Sequence, residues 1–209
     1  MIKNIVFDVG NVLMAYDANA YMKRLGFDED TRDAVNQAMF QNPLWDETDR
    51  GVLSDRQLEE GFVKNAPAQY ESAVRLAYQR ASETISLLPY SAAWVKEMKA
   101  RGYRLYILSN YSRKIYRETE SLMEFLPYMD GALFSYQCHL IKPQPQIYRH
   151  LCDTFGLVPG ETVFLDDREE NVQGAVREGI HAIRFTGYEQ TRRRLDQFLE
   201  VSDSHREIR

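Results

Sequence analysis

The chain has 209 residues, 44% of them hydrophobic and 27% charged, and its 26 basic and 31 acidic residues give a formal net charge of −5. This composition excludes a disordered or fibrous protein, and the length allows one large domain or a core carrying a smaller insertion. The acidic balance offers no electrostatic footprint for nucleic acid, so no nucleic-acid partner is expected.

Short apolar runs that end on polar residues recur along the chain and predict buried strands. The first, Ile5 to Phe7, ends on Asp8 and is followed closely by Gly10. The later runs are residues 103–108, before Ser109 and Asn110; 131–134, before Ser135; 162–165, before Asp166 and Asp167; and 181–185.

Amphipathic helices are predicted between these strands, each stopping at a glycine suited to a left-handed helix cap. They run from Ser91 to Arg101, from about Gln144 to Phe155 and from about Asn171 to Glu178. Such alternation predicts an α/β fold: a Rossmann-like parallel sheet with helices on both faces. Ligands of these sheets bind beyond the carboxyl ends of the strands, where the polar residues named above should gather.

Residues 18–87 interrupt the alternation, with no convincing strand and several helical patterns, among them a capping box from Ser54 to Gln57. We therefore predict an inserted α-helical cap domain over the crevice, residues 18–87, and a core domain of residues 1–17 and 88–209. Substrate contacts are expected from residues before Gly51 and after the second strand: Phe40, Trp45, Asp46, Glu47 and Arg50, with Tyr111 and Arg113.

The remaining sequence features indicate a soluble, cytoplasmic protein without a membrane partner. No run of 18 apolar residues occurs, and the N-terminus lacks the features of a signal peptide. Cys138 and Cys152 are too isolated for a metal set and are expected to be reduced. The polar segment 201–209 is expected to be frayed. Both a monomer and a homodimer are compatible with the sequence.

The strand-end residues have complementary chemistry. Asp8, Asp166 and Asp167 would repel one another in a shared crevice unless a cation bound between them. Oxygen ligands without a Cys/His set favour Mg²⁺. A hydroxyl from Ser109 and a positive charge from Lys142 would suit the oxygens of a phosphoryl group.

In this arrangement the chain resembles the haloacid dehalogenase superfamily, whose four motifs occur here in order. They are residues 7–13 around Asp8; Leu108, Ser109 and Asn110; Lys142 and Pro143; and Asp166, Asp167 and Asn171. The resemblance covers nearly the whole chain, and residues 18–87 match the family's first (C1) class of helical cap. The first and fourth motifs are most similar to those of the phosphatase domain of epoxide hydrolases and of bacterial sugar-phosphate phosphatases.

The resemblance implies a Mg²⁺-dependent phosphatase acting on a small phosphorylated metabolite, such as a sugar phosphate. Asp8 would attack phosphorus and form an aspartyl-phosphate. Mg²⁺ would be held by the Asp8 carboxylate, the Gly10 carbonyl and Asp167, with Asp166 in support. Ser109 and the amide of Asn110 would hold the phosphoryl oxygens, while Lys142 neutralises charge and orients Asp8.

One position departs from the family pattern. Most phosphatases of the superfamily carry a general acid two residues after the nucleophile, where this chain has Gly10. Losing such an acid typically costs on the order of 10² to 10⁴ in rate. Our hypothesis is that the substrate has an acidic leaving group, as an anomeric sugar phosphate or an aryl or acyl phosphate does. Asp17, Asn11 or a cap residue could instead supply the acid.

Two other functions are compatible with the sequence. A metal-independent 2-haloacid dehalogenase would use the same aspartate nucleophile and a similar second motif, but paired aspartates would repel its anionic substrate. The other alternative is a catalytically weak scaffold that binds a phosphometabolite or a protein. Gly10 is compatible with it, because this residue stands where a general acid is expected. Phosphoglucomutase-type transfer is disfavoured, because it relies on the acid that Gly10 replaces.

Overall fold

A computed structural model describes residues 1–204 of the chain. The strands in chain order are β1 (Asn4–Phe7), β2 (Met14–Tyr16), β3 (Ile85–Leu87), β4 (Arg104–Ser109), β5 (Gly131–Phe134), β6 (Thr162–Asp166) and β7 (His181–Arg184). Five of them form a parallel sheet in the order β5-β4-β1-β6-β7. All five strands predicted from the apolar runs are therefore confirmed.

The helices follow the same order along the chain. They are α1 (Ala18–Arg24), α2 (Glu29–Val35), α3 (Leu44–Arg50), α4 (Asp55–Lys64), α5 (Glu71–Gln79), α6 (Ser91–Ala100), α7 (Arg113–Thr119), α8 (Ser135–Cys138), α9 (Pro145–Phe155), α10 (Glu169–Arg177) and α11 (Tyr188–Ser204). The three predicted core helices correspond to α6, α9 and α10. Helix α11 extends through Ser204, so the expected fraying is wrong for residues 201–204, and residues 205–209 lie outside the described part of the chain.

Alternate residues of the strands face opposite sides of the sheet, and each side is covered by helices. Ile5 and Phe7 of β1 join a core with Trp94 of α6 and Leu195 of α11. Val6 faces the other way, into a core with residues of α9 and α10. The predicted α/β fold with helices on both faces is thus confirmed.

A short antiparallel ribbon was missed by the sequence analysis. Strands β2 and β3 pair where the chain enters and leaves the helical segment, with Met14 opposite Leu87 and Tyr16 opposite Ile85. The statement that residues 18–87 contain no strand is therefore wrong for residues 85–87. The ribbon fixes both ends of the segment that contains α1 to α5.

Helix α3 ends close to α8 because residue 51 is a glycine. Gly51 has a φ of +69°, and a Cβ placed there would lie 2.8 Å from Cβ of Tyr136. Left-handed backbone and close approach both exclude a side chain at this position.

We expect Gly51→Ala to lower the free energy of unfolding by roughly 2 to 4 kcal/mol, through backbone strain and overpacking together. Gly102→Ala is the matched control, since Gly102 has a φ of +90° but nothing within 4 Å of its Cβ position. It should cost only about 1 kcal/mol. Denaturant titration of the two variants measures the difference, and equal losses would contradict the packing argument.

Candidate active site

The polar residues at the carboxyl ends of the strands converge, as the parallel sheet requires. Asp8 follows β1, Ser109 ends β4, and Asp166 and Asp167 end and follow β6, which pairs with β1. Carboxylate oxygens of Asp8, Asp166 and Asp167 all lie within 4.8 Å of one another. The expectation that these three side chains share one crevice is met by the geometry.

Lys142 lies between two of these carboxylates. Its Nζ is 2.9 Å from Oδ1 of Asp8 and 2.6 Å from Oδ2 of Asp166, and it donates to the carbonyl of Leu108 at 3.1 Å. Its side chain is only 1% exposed. Burial by itself lowers the pKa of Lys142, but the two carboxylates more than offset this and raise the pKa above its usual value. Lys142 is therefore a buried, fixed positive charge.

Asp166 is fully engaged by its neighbours. Its two carboxylate oxygens accept hydrogen bonds from the backbone N–H of Arg168 at 2.8 Å and from Nδ2 of Asn171 at 3.0 Å, in addition to Lys142. A carboxylate with this many donors is held in one orientation. Its contacts fit the supporting position expected for Asp166.

Asp8 and Asp167 have fewer partners. Oδ1 of Asp8 accepts from the backbone N–H of Val9 at 2.7 Å as well as contacting Lys142, and Oδ2 of Asp167 accepts from Nδ2 of Asn11 at 3.0 Å. Burial raises the pKa of Asp8 to about 7, an effect that Lys142 opposes and Asp166 increases. Burial also raises the pKa of Asp167, against the hydrogen bond from Asn11.

The residues present fit a bound Mg²⁺. All side-chain donors of the cluster are carboxylate oxygens, which are ligands for a hard cation. Three ionised carboxylates beside one ammonium group carry a local net charge of −2, so a divalent cation balances the cluster. A bound cation would favour the ionised forms of Asp8 and Asp167, whose pKa values are raised by burial.

Ser109 and Asn110 both lie beside the carboxylate cluster, but their side chains differ in their hydrogen bonds. The Ser109 hydroxyl is buried and makes no hydrogen bond of ordinary geometry, although it is near enough to Asp8 to lower the pKa of that carboxyl slightly. The Asn110 side chain exchanges two hydrogen bonds with the backbone of Lys142, at 2.8 and 3.1 Å. The Asn110 side chain thus positions Lys142.

A cavity of about 160 Å³ opens over the cluster. Its core-side lining includes Asp8, Gly10, Asn11, Asn110, Tyr111, Lys142, Asp167, Arg168 and Asn171, and its lining on the other side includes Tyr16, Trp45, Asp49 and Ile85. An adjoining cavity of about 440 Å³ shares Tyr16, Trp45 and Arg168 and adds Phe40 and Asp46. Of the residues expected to contact substrate, Trp45, Tyr111, Phe40 and Asp46 therefore line these cavities.

The other three expected contacts lie elsewhere. Glu47 and Arg50 pair with each other at 3.1 Å, and Arg50 reaches Gln144 rather than either cavity. Arg113 stacks over the ring of Tyr136 and lines a separate cavity near α7. Those three expectations are wrong because each side chain contacts a neighbouring residue outside the two cavities.

The sequence analysis missed Asp49, Tyr16 and Arg168 as cavity residues. The spacing of Trp45 and Asp49, four residues apart on one helix, places both on the same face and was the available signal. Tyr16 belongs to the missed strand β2. Arg168 follows Asp167 directly and gave no separate signal.

The carboxyl of Asp49 is partly buried, and burial raises its pKa to about 7. The negative charges of Asp46 and Asp8 add to the shift, while Lys142 and Arg168 oppose it. A carboxyl whose pKa is higher in the folded state ionises more easily when the chain unfolds. It therefore makes stability fall as the pH rises from about 4 to about 7.

We expect Asp49→Asn to remove this part of the pH dependence and to raise the free energy of unfolding at pH 8 by about 1 to 3 kcal/mol. At about pH 2.5, well below the ordinary carboxyl pKa of 3.8, the wild-type carboxyl is protonated in both states and the variant should match the wild type. Denaturant titrations at the two pH values, in the presence of a chelator, measure the effect. Equal stability of the two proteins at both pH values would contradict it.

The family follows from comparison of the whole sequence. The model of the haloacid dehalogenase-like hydrolases matches residues 2–179, across four of the five strands of the sheet, the helical segment and all four motifs. The chain therefore belongs to the haloacid dehalogenase-like hydrolases, as the motifs indicated.

Similar curated proteins include both phosphatases and a dehalogenase. The chain is 28% identical over 187 residues to a D-ribitol-5-phosphate phosphatase of Bacteroides thetaiotaomicron, covering 82% of this chain and 86% of that protein. It is 27% identical over 104 residues to (S)-2-haloacid dehalogenase 4A of Burkholderia cepacia, covering 50% and 45%. It is 29% identical to mouse bifunctional epoxide hydrolase 2 over 68% of this chain but only 25% of that protein.

Solved structures of the same family share the fold. A Bacteroides thetaiotaomicron enzyme in complex with magnesium and inorganic phosphate superposes with a TM-score of 0.68 at 20% identity, over 88% of this chain and 94% of that one. L-2-haloacid dehalogenase of Xanthobacter autotrophicus, with chloropropionic acid covalently bound, gives 0.64 at 19% identity over 88% and 77%. Within residues 1–204, no helix is both long enough and apolar enough to cross a bilayer.

Proposed function

We propose that this hydrolase is a Mg²⁺-dependent phosphatase that cleaves a small phosphorylated metabolite, such as a sugar phosphate, through an aspartyl-phosphate on Asp8. The observation that carries the proposal is the cluster of three carboxylates around a buried lysine, beside the buried hydroxyl of Ser109. The ribitol phosphate phosphatase, similar over most of both chains, supports the same reaction class.

Mg²⁺ would be held by Asp8, the backbone carbonyl of Gly10 and Asp167, with Asp166 fixing the surrounding charge. When bound, it would neutralise the carboxylates and the oxygens of the phosphoryl group. The hydrogen bonds that saturate Asp166 suit this supporting role, and a bound cation would oppose the effect of burial, which raises the pKa of Asp167.

The catalytic work is divided among three side chains. The Asp8 carboxylate would attack phosphorus, and Lys142 would hold its Oδ1 in place while balancing negative charge. The Ser109 hydroxyl and the backbone N–H of Asn110 would donate to the phosphoryl oxygens, which gives the unpartnered hydroxyl its hydrogen bond. Water would then attack the aspartyl-phosphate and release phosphate and free Asp8.

Residues 18–87 would act as the cap domain of this enzyme and residues 1–17 and 88–209 as its core domain. Trp45 and Tyr16 line both the cavity over Asp8 and the wider cavity beside it, so the rest of the substrate would lie against them. An aromatic surface next to polar groups such as Asp46 suits a sugar or polyol.

A 2-haloacid dehalogenase is the second candidate, supported by the relatives that carry this activity and by the absence of an acid at Gly10. Against it, an anionic haloacid would enter a site whose net charge is negative without a cation. The third candidate is a scaffold that binds a phosphometabolite or a protein partner and does not turn over a substrate at this site.

One set of assays separates the three functions. The proposal predicts that release of nitrophenol from para-nitrophenyl phosphate requires Mg²⁺ and stops when a chelator is added. Chloride release from 2-chloropropionate that continues with the chelator would instead establish the dehalogenase. No turnover in either assay, with phosphate still binding in calorimetry, would establish the scaffold.

A further inference from the structure

Cleavage of an alkyl phosphate leaves an alkoxide that must take up a proton, and residue 10 has no side chain to provide it. Asp17 and Asn11, the two residues named above as possible replacements for this acid, make other contacts. Asp17 is exposed and caps α1, accepting from the N–H of Ala20 at 2.8 Å. Asn11 has an amide, which is not an acid, and bridges Asp167 and the backbone N–H of Tyr16.

Within the described residues, three acids line the cavity over the cluster: Asp8, Asp167 and Asp49. The first two belong to the carboxylate cluster. Asp49 is on the other wall, contributed by α3, and its carboxylate makes no hydrogen bond or ion pair with any residue in the range 1–204. Asp49 is therefore an acid that lines the substrate cavity and, in the described part of the chain, makes no side-chain contact that stabilises the fold.

The backbone around Asp49 is fixed to the core. Its carbonyl accepts a hydrogen bond from Oγ of Ser135 at 2.6 Å, and the next carbonyl, that of Arg50, accepts from Nδ1 of His139 at 2.9 Å. Ser135 Oγ in turn accepts from the backbone N–H of Tyr111, another residue of the cavity lining. The close contact of Gly51 with Tyr136 adds a third attachment. Asp49 is thus held over the cavity by three consecutive residues.

The in-line geometry of phosphoryl transfer agrees with the position of Asp49. In phosphoryl transfer the attacking and leaving oxygens lie roughly in line, on opposite sides of phosphorus. With Asp8 at the strand ends attacking from the core side, the leaving oxygen points toward the wall made by Tyr16, Trp45 and Asp49. Burial also keeps the Asp49 carboxyl protonated to about pH 7, so it has a proton to give under neutral conditions.

On the basis of the proposed function, we infer that Asp49 is the general acid and base of this enzyme, contributed by the helical segment in place of a residue at position 10. As the Asp8 oxygen–phosphorus bond forms, the bond from phosphorus to the leaving oxygen breaks and its electron pair takes the proton of Asp49. In the second step the oxygen of a water molecule bonds to phosphorus while the Asp49 carboxylate accepts a proton from that water, so that inorganic phosphate is released. The bond to Asp8 breaks, its electron pair returns to the Asp8 carboxylate, and Asp49 is protonated again.

This inference predicts activity on alkyl phosphates, against the earlier hypothesis that the substrate must have an acidic leaving group. The test compares wild type and Asp49→Asn, with Mg²⁺, on para-nitrophenyl phosphate, phenyl phosphate and glycerol phosphate. In kcat/KM, which reports the steps through release of the leaving group, the variant should lose less than about tenfold on the nitrophenyl ester, whose leaving group needs no proton, but on the order of 10² to 10⁴ on glycerol phosphate. Loss of the base in the second step should in addition lower kcat on all three esters.

Rescue and control variants make the test specific. Position 10 lines the same cavity, and nothing lies within 4 Å of the place where a Cβ would be. Gly10→Asp in the Asp49→Asn background should restore the alkyl activity, whereas Gly10→Asn should not. Glu47→Gln, on the same helix but paired with Arg50 outside the cavities, should leave the leaving-group dependence unchanged.

Equal losses of Asp49→Asn in kcat/KM on all three esters would show that the residue only positions substrate, and no loss would show that it takes no part. Either result overturns the inference. Wild-type protein that is inactive on para-nitrophenyl phosphate would overturn the proposed function instead, so the two failures are distinguishable.

Discussion

Asp8→Asn is expected to reduce phosphatase turnover by on the order of 10⁴ to 10⁶, because an amide cannot form the aspartyl-phosphate. The substitution keeps the shape of the side chain and removes only the nucleophilic charge. Steady-state kcat on para-nitrophenyl phosphate, with Mg²⁺ present, measures the loss. Asp153→Asn, an exposed carboxylate on α9, is the control and should retain full activity.

The same variant should be at least as stable as the wild type when a chelator is present. Burial raises the pKa of Asp8 to about 7, so its ionised form opposes folding above that pH. We expect the free energy of unfolding at pH 8 to rise by about 1 to 3 kcal/mol in the variant. A folded Asp8→Asn variant that keeps its turnover would contradict the role of Asp8 as the nucleophile.

Lys142→Met is expected to lower both activity and stability. Lys142 contacts Asp8 and Asp166 in a buried site, so its loss leaves two carboxylates facing each other without a positive charge between them. Removing one member of a buried ion pair typically costs about 3 to 5 kcal/mol in stability. Turnover should also fall on the order of 10² to 10³, because the charge that balances the phosphoryl oxygens is lost.

Lys3→Met is the matched control for this substitution. Lys3 also pairs with a carboxylate, Glu161, but its side chain is 52% exposed, and an exposed pair is worth about 1 kcal/mol or less. Denaturant titration of both variants gives the comparison. Mg²⁺ should restore part of the stability of Lys142→Met, since a bound cation supplies the missing positive charge. A loss no greater than that of Lys3→Met would contradict the structural role of the buried lysine.

The sequence predicted the sheet and its catalytic edge because both depend on local patterns. Apolar runs such as Ile5 to Phe7 specify buried strands, and parallel strands bring the residues that follow them, such as Asp8 and Asp166, to one edge. Lys142 reaches this edge from a loop, and only the resemblance to a family motif placed it there. Its three contacts in the structure explain why a lysine is needed at that position.

The wall opposite the strand ends could not be predicted in the same way. The ribbon of β2 and β3 has three residues in each strand, too few to show a period, and its pairing is not local. How α3 lies against the core depends on contacts such as Gly51 with Tyr136, which no spacing reveals. For that reason Asp49 was missed, while Glu47 and Arg50, which pair with each other outside the cavities, were expected to contact substrate.

Trapping of the covalent intermediate tests the central claim, nucleophilic attack by Asp8, most directly. Wild-type protein turning over para-nitrophenyl phosphate with Mg²⁺ would be quenched into hydroxylamine, which converts an acyl phosphate into a hydroxamate. The predicted result is a hydroxamate on Asp8 alone, found by mass spectrometry of the peptide that contains it and absent in Asp8→Asn. Active enzyme with an unmodified Asp8, or with the hydroxamate on another carboxylate, would contradict the mechanism.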